Sequence, residues 1–224
     1  MTEIAYVSVI IPARNEAENL APTIASVEPW AGQIIVVDDG SQDQTPAIAE
    51  GLSAEVMQRR TDPGKGQSLA YGLTRARGDI VVFLDADLRH SAKEGVKLVE
   101  CVAAGRADLA IARIDQVGDP GWGLLSQASR RLVAWHGVHV SQPLCGQRAL
   151  SRVALEKILP LARGWGVEVA MLVQAARQRL VVEEVPTSMY HSGTGRSARG
   201  ALHRARQGLD IAVALSNMML VPWR

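Results

Sequence analysis

The stretch 79–90, DIVVFLDADLRH, constrains this chain more than any other. Residues 80–84 are an unbroken apolar run rich in β-branched types, with the length and composition of a strand buried on both faces. Strands of that kind occur in parallel sheets covered by helices, so an α/β protein is predicted. The run ends on Asp85 and Asp87, one alanine apart, which puts two carboxylates at a strand's carboxyl end. In open α/β sheets that edge is where ligands bind. Side chains two residues apart on an extended segment point the same way, and like charges there repel unless a cation or proton intervenes. A hard divalent ion taking oxygen ligands, magnesium or manganese, would satisfy both. The competing reading makes Asp87 the cap of a helix beginning near Ser91 and Asp85 a solvated loop residue.

The chain around this stretch alternates in the same manner. Residues 7–11 read as a buried strand stopped by Pro12, and ARNEAENL leads into a helix through Thr23 to about Val27. Residues 33–37 repeat the pattern and end at DDGS, after which Thr45 reads as a helix N-cap and Pro46 as its first-turn proline. A short strand from Val56, a DPGKG turn and a helix over QSLAYGLTRAR ending near Gly78 come next. After the strand 80–84, a helix from Ser91 to about Ala104 and a strand around 109–111 are predicted. Alternation of this kind implies a parallel sheet with right-handed crossovers. Beyond Ile111 the order loosens. Residues 113–123, RIDQVGDPGWG, read as a glycine-rich loop carrying Trp122, of the kind that serves as a lid or is disordered. An arginine-rich helix follows, then a short strand in SQPLCGQRALSR, helices over 153–159 and GWGVEVAMLVQAARQ, a strand over 180–185 closed by Pro186, and a final helix in the tail. No repeat or linker marks a boundary, so residues 1–224 are predicted to be one domain.

Composition narrows the function classes. A net charge of +1 argues against a nucleic-acid footprint over the whole surface. Locally, residues 191–206 carry four arginines and no acid, either an anion-binding patch or a solvated helix face. Two cysteines, Cys101 and Cys145, are no disulfide framework and suit a reducing compartment, with Cys101 expected in a helix core. The N-terminus lacks the pattern of a signal peptide, and no apolar run approaches the roughly 20 residues of a spanning helix. A cytoplasmic protein is expected, with at most peripheral contact at the inner face of a membrane.

Three strand ends carry polar or acidic clusters: PARNE after the first, DDGS after the second and DADLRH after the fourth. A sheet's carboxyl edge is one crevice, so these groups should converge. Asp38 and Asp39 could be caps and turn formers, or could accept hydrogen bonds from a ribose or base. Lys65, between two glycines at a helix N-terminus, resembles a phosphate or base cradle. The surroundings lack a Walker A loop, and no G-x-G-x-x-G follows the first strand, which weakens ATPase and dehydrogenase readings. Glu168 opens a helix, where it would favour the macrodipole or act on a substrate hydroxyl. His136, His139 and His191 lack partners at ligand spacing and read as core or surface residues.

Taken together, VSVIIPARNEAENL, IIVVDDGSQDQT, GKGQSLAYGLTRARGDIVVFLDADL and GWGVEVAML resemble the family-2 glycosyltransferases with the GT-A fold, in nearly unbroken order to about residue 186. GKG, GWGVEVAML and HRARQ are similar to segments of glucosyl-3-phosphoglycerate synthases. The N-terminal half also resembles dolichyl-phosphate and polyprenyl-phosphate sugar transferases. The resemblance implies a single Rossmann-like, mainly parallel sheet flanked by helices, with a nucleotide-sugar half to about residue 112 and an acceptor-side half over 113–224. It implies that Pro12, Asn15 and Glu16 help hold the nucleoside, that Asp39 contacts base or ribose, and that Lys65 contacts the nucleotide. Asp85-Ala86-Asp87 would hold Mg2+ or Mn2+ on the diphosphate, with His203 as third metal ligand. Glu168 would be general base toward an acceptor hydroxyl or would position the acceptor, while Arg130, Arg131, Arg196 and Arg204 bind its acidic group. The expected acceptor is a phosphorylated small molecule or a polyprenyl phosphate, and partner expectations extend to a homodimer. Two other classes compete: a silent nucleotide-sugar binding module, and a sugar-1-phosphate nucleotidyltransferase, whose glycine-rich basic loop after the first strand IIPARNE does not supply.

Overall fold

The computed structural model describes residues 5–114 and 123–191. Among them, seven strands form one sheet: β1 (Val7–Ala13), β2 (Gln33–Asp38), β3 (Glu55–Gln58), β4 (Ile80–Phe83), β5 (Leu109–Ile114), β6 (Arg148–Ser151) and β7 (Val182–Thr187). Their spatial order is β3-β2-β1-β4-β6-β5-β7. The pairings are parallel except that β6 runs antiparallel to both β4 and β5. The helices are α1 (Ala17–Val27), α2 (Thr45–Glu50), α3 (Lys65–Leu73), α4 (Val96–Ala103), α5 (Gly123–Trp135), α6 (Arg152–Ile158) and α7 (Val167–Arg177).

Strand alternation sorts the apolar residues onto two covered faces. Val9, Ile11, Val36, Ile80 and Val82 share one core with Leu20 and Ile24 of α1 and Leu98 and Cys101 of α4. Ile10, Ile35, Val37, Val81 and Phe83 share the other with Leu69 of α3, Leu155 of α6 and Leu172 of α7. Each such aliphatic side chain contributes about 1.5–3 kcal/mol on burial. With both faces filled, chemistry is left to the sheet's edge, as the apolar run 80–84 implied. The carboxyl ends of β1, β2 and β4 share that edge. Because β6 is antiparallel, its first residue, Arg148, pairs with Phe83 and joins them there.

Several local expectations need correction. Pro12 lies inside β1, because the ladder to β4 ends at the Ile10–Phe83 pair and a proline beyond it removes no donor from that pairing. Pro186 is likewise inside β7, a sheet edge, opposite Arg113. Thr45 is not the cap of α2 but its first residue; Asp43 Oδ1 accepts from both the Thr45 N–H (3.0 Å) and its hydroxyl. Helix α3 stops at Leu73, five residues short of Gly78. Gly78 instead allows a close backbone approach, since a Cβ there would stand 2.7 Å from the Tyr6 carbonyl oxygen. The helix expected from Ser91 is two pieces, a 3-10 segment (Ala86–Gly95) broken at Arg89 (φ 49, ψ −133), then α4.

The final helix expected in the tail, with Arg196, His203 and Arg204, falls outside the described residues, as does Trp122 with most of the 113–123 loop. Among the described residues, no helix is long and apolar enough to cross a membrane.

Candidate active site

Strand β4 delivers Leu84 into the core and Asp85 to the edge, where Asp85 starts the 3-10 segment without capping it through its side chain. The backbone of this turn is braced by α1. The buried Thr23 hydroxyl donates to the Ala86 carbonyl and accepts the Arg89 N–H, each at 2.8 Å. Ala86 itself is 4% exposed, so its contribution is backbone shape. Asn19, one turn earlier on α1, accepts from Arg89 Nε (2.5 Å) and donates to Glu16 Oε2 (2.6 Å).

The inner side of the site is an ionic network built on the buried Lys65 and Glu168. Lys65 Nζ lies 2.6 Å from Asp85 Oδ1 and 2.9 Å from Glu168 Oε1, with 8% of its side chain exposed. Burial alone would lower the ammonium's pKa, but the two carboxylates reverse this and raise it well above the usual lysine range. Asp85 shows the mirror effect: burial raises it, and the Lys65 charge, followed by His191 and Gln147, holds it below the usual carboxylate range. Gln147 Nε2 donates to Asp85 Oδ2 at 2.8 Å. A Cβ on Gly146 would come within 2.9 Å of that same oxygen, so a glycine lets the chain close over the pair. Arg148, fully buried, donates to the carbonyls of Cys145, Glu168 and Pro143 at 2.9, 2.6 and 2.8 Å. It ties the turn before β6 to the start of α7, and so places Gln147 and Glu168 on either side of Lys65.

The outer side is built differently. Asp87 Oδ1 lies 2.9 Å from His191 Nδ1, and both side chains keep solvent exposure, 22% and 43%. Burial would lower the imidazole's pKa, but the Asp87 hydrogen bond and the Asp85 charge raise it. Glu16, at the start of α1, has its carboxyl raised, first by burial and then by the charges of Asp87, Asp85 and Asp43, against the Asn19 hydrogen bond. Negative charge therefore accumulates on this side with the imidazole as its nearest neutralising group. One ligand atom each from Asp85, Asp87 and His191 lie within 4.8 Å of one another. Two carboxylate oxygens and an imidazole nitrogen suit Mn2+ and, through the oxygens, Mg2+, so the residues fit a divalent ion.

The structure brings Glu16, Lys65, Asp85, Ala86, Asp87 and Glu168 together as the sequence implied. Pro12 ends β1 beside them, and Asn15 (φ 57) bridges the β1 and β2 exits, donating to Ser41 Oγ at 2.9 Å and accepting from the Gln42 N–H at 2.8 Å. Asp39 is turned toward its own chain, 2.8 Å from Arg59 Nη1 and from the Gly64 N–H, where it fixes the entrance to α3. Lys65 faces Asp85 and Glu168 rather than solvent. Arg130 and Arg131 are exposed on α5. The reading of His191 as partnerless is overturned by its contact with Asp87. A usable signal existed: β7 is parallel to β5, and His191 follows its carboxyl end, the rule that singled out Asp85. Gln147 and Arg148 gave no such signal, because they reach this edge only through the reversed direction of β6.

A family model, Glycosyl transferase family 2, matches residues 8–158. Glucosyl-3-phosphoglycerate synthase of Mycobacterium tuberculosis is 33% identical over 196 residues, covering 75% of this chain and 60% of the relative. Glycosyltransferase AglD of Haloferax volcanii is 33% identical over 208 residues, covering 84% of this chain and 33% of the relative. This chain thus spans less than two thirds of the first and about a third of the second. The crystal structure of the M. tuberculosis synthase with Mn2+, UDP and glucosyl-3-phosphoglycerate superimposes with a TM-score of 0.81 at 28% identity, over 97% of this chain and 81% of that one. The same protein with Mg2+ and UDP gives a TM-score of 0.80 at 28% identity, over 97% of this chain and 80% of that one.

Proposed function

The chain belongs to glycosyl transferase family 2, and from that premise we propose that it transfers a sugar from a nucleoside-diphosphate donor to a small phosphorylated acid, with Mn2+ or Mg2+ held by Asp85, Asp87 and His191. The observation that carries this is the convergence of those three side chains at the sheet's carboxyl edge, ligand atoms within 4.8 Å. When bound, the ion neutralises charge developing on the leaving diphosphate.

The protein's own residues supply the rest. Lys65 and Gln147 hold Asp85 in one orientation, so this ligand is set before a donor arrives. Pro12, Asn15 and Glu16 line the exit of β1, where a nucleoside would lie, and Asp39 shapes that wall through Arg59 and Gly64. Glu168 reaches the same cluster from the acceptor half. Its Oε1 already accepts from the Lys65 ammonium, a commitment that favours orienting the acceptor hydroxyl over taking its proton. The acceptor's anionic groups are assigned to Arg130 and Arg131 together with Arg196 and Arg204. A phosphorylated acid is preferred to a lipid phosphate because phosphoglyceric acid and glycerol 3-phosphate are bound by the structural neighbours.

The test is an array of nucleotide sugars, UDP-glucose first, against 3-phosphoglycerate, glycerol 3-phosphate and a short polyprenyl phosphate, with Mn2+ present, reading nucleoside diphosphate release and the glycosylated product. Transfer to a phosphorylated three-carbon acceptor is expected. Transfer to polyprenyl phosphate alone would move the protein to the lipid-dependent branch, and donor binding without transfer would leave a binding module.

A further inference from the structure

The metal site proposed above joins two chain segments 104 residues apart, and covalent connection does nothing to keep them together. Asp87 sits on the 3-10 segment, whose fold is fixed by α1 and β4. His191 lies just beyond the end of β7, at the sheet's far edge. Without further attachment the stretch 188–191 would be a free strand exit, and ordering it would cost backbone entropy of about 1–2 kcal/mol per residue.

The attachment comes from the 3-10 segment itself. Ser91 Oγ, 4% exposed as a residue, accepts the Tyr190 N–H at 3.1 Å, and its proton is shared between the carbonyls of Leu88 (2.7 Å) and Tyr190 (3.1 Å). Glu94 Oε2, one turn on, accepts the Ser188 N–H at 3.1 Å. Its carboxyl is held below the usual range by the Lys97 hydrogen bond first and that N–H second, so it stays an acceptor. Between the two, Met189 is buried in the core beneath the sheet at 1% exposure. Three hydrogen bonds and one apolar plug thus dock Ser188, Met189 and Tyr190 onto the segment that carries Asp87. The next residue is His191.

We propose that Ser91 and Glu94 are positioning residues of the metal site, a clamp on the backbone of residues 188–190 that presents the His191 imidazole to Asp87 and Asp85. They touch neither the ion nor a substrate and act through His191. Partners that orient a metal ligand typically hold about 10- to 100-fold in metal affinity. The inference rests on the reading of Asp85, Asp87 and His191 as the metal site, and the experiment separates the two.

Mn2+ alone is titrated into the full chain, and the free ion is followed by electron paramagnetic resonance, with no substrate and no turnover. The proteins are wild type, Ser91→Ala, Glu94→Gln, Glu94→Ala, His191→Ala and the Ser91→Ala/His191→Ala pair. Ser91→Ala is expected to weaken Mn2+ binding about tenfold or more, Glu94→Ala less so, and Glu94→Gln, which keeps an acceptor for the Ser188 N–H, to stay near wild type. In the His191→Ala background the Ser91 change should have no further effect, because the clamp then holds nothing that binds metal. Should Ser91→Ala fail to fold, the Glu94 pair carries the same comparison. Wild-type affinity in Ser91→Ala and Glu94→Ala overturns the clamp and leaves the metal site standing. Equal weakening with and without His191 also overturns it, as a general structural role. No Mn2+ binding by wild type overturns both.

Discussion

Asp85 and Asp87 are one residue apart, yet the two sides of the site they define are built on opposite principles. On the inner side, Asp85 is locked by Lys65 and Gln147 and shares with Glu168 an ammonium that is nearly out of solvent, although its own carboxylate is about as exposed as that of Asp87. On the outer side, Asp87 faces an imidazole that is close to half exposed and hangs on a strand exit. On the inner side the charges of Lys65 and the buried Arg148 match those of Asp85 and Glu168. The outer side leaves carboxylate charge in excess, which a cation can complete. One motif therefore serves both as a rigid floor and as an open socket, and substitutions on the two sides should fail in different ways.

The largest expected effect is on the inner side. Lys65→Met leaves two carboxylates facing each other with their shared cation gone, and should cost about 3–5 kcal/mol of folding stability, read from urea denaturation. Adding Glu168→Gln should recover part of it. A loss below about 1 kcal/mol, on that same scale, would mean the network is far looser than its distances. Next is Gln147→Leu, which removes one donor from an ionised carboxylate and should cost about 1.5 kcal/mol; an unchanged urea midpoint would place Gln147 outside the network.

His191→Ala tests the outer side and should reverse the pattern. Stability should move by no more than about 0.5 kcal/mol, while Mn2+ affinity falls about tenfold or more. A destabilisation like that of Lys65→Met would erase the distinction between the sides. The smallest effect on stability is expected at an exposed side chain. Arg131→Ala on the exposed face of α5 should leave stability within about 0.5 kcal/mol and raise KM for the acceptor with kcat unchanged. If kcat falls and KM does not, Arg131 belongs to the chemistry rather than to acceptor capture.

The sequence made the inner floor's members visible and hid their relation. Buried strands announce themselves by continuous apolar runs, so the edge and its acids, Asp85 and Asp87, could be located from 80–87 alone. Lys65 and Glu168 could each be singled out at a helix start, but nothing in either stretch says that one ammonium serves both carboxylates. That follows from α3 and α7 packing on the same sheet face. Direction was the other hidden variable. A short strand such as RALS carries no mark of running antiparallel, and on that reversal depends the arrival of Gln147 and Arg148 at the site. Prolines misled for a related reason: Pro12 and Pro186 read as strand stops, yet each stands where no ladder partner needs its N–H. His191 obeys the strand-end rule, but its partner Asp87 is its neighbour across the sheet's edge, 104 residues away along the chain, so spacing within the sequence does not reveal the pair. His203, favoured instead on the strength of HRARQ, lies outside the described residues.

The central claim is that a divalent ion at Asp85, Asp87 and His191 is what joins a nucleoside diphosphate to this sheet edge. Calorimetric titration of UDP into wild type and Asp87→Ala, each in Mn2+ and in excess EDTA, tests it most directly. Wild type should bind UDP at least about tenfold more tightly in Mn2+ than in EDTA. Asp87→Ala, folded to the same urea midpoint, should bind weakly and equally in both. Equal UDP affinity of wild type with and without Mn2+, or a full Mn2+ gain retained by Asp87→Ala, would contradict the account.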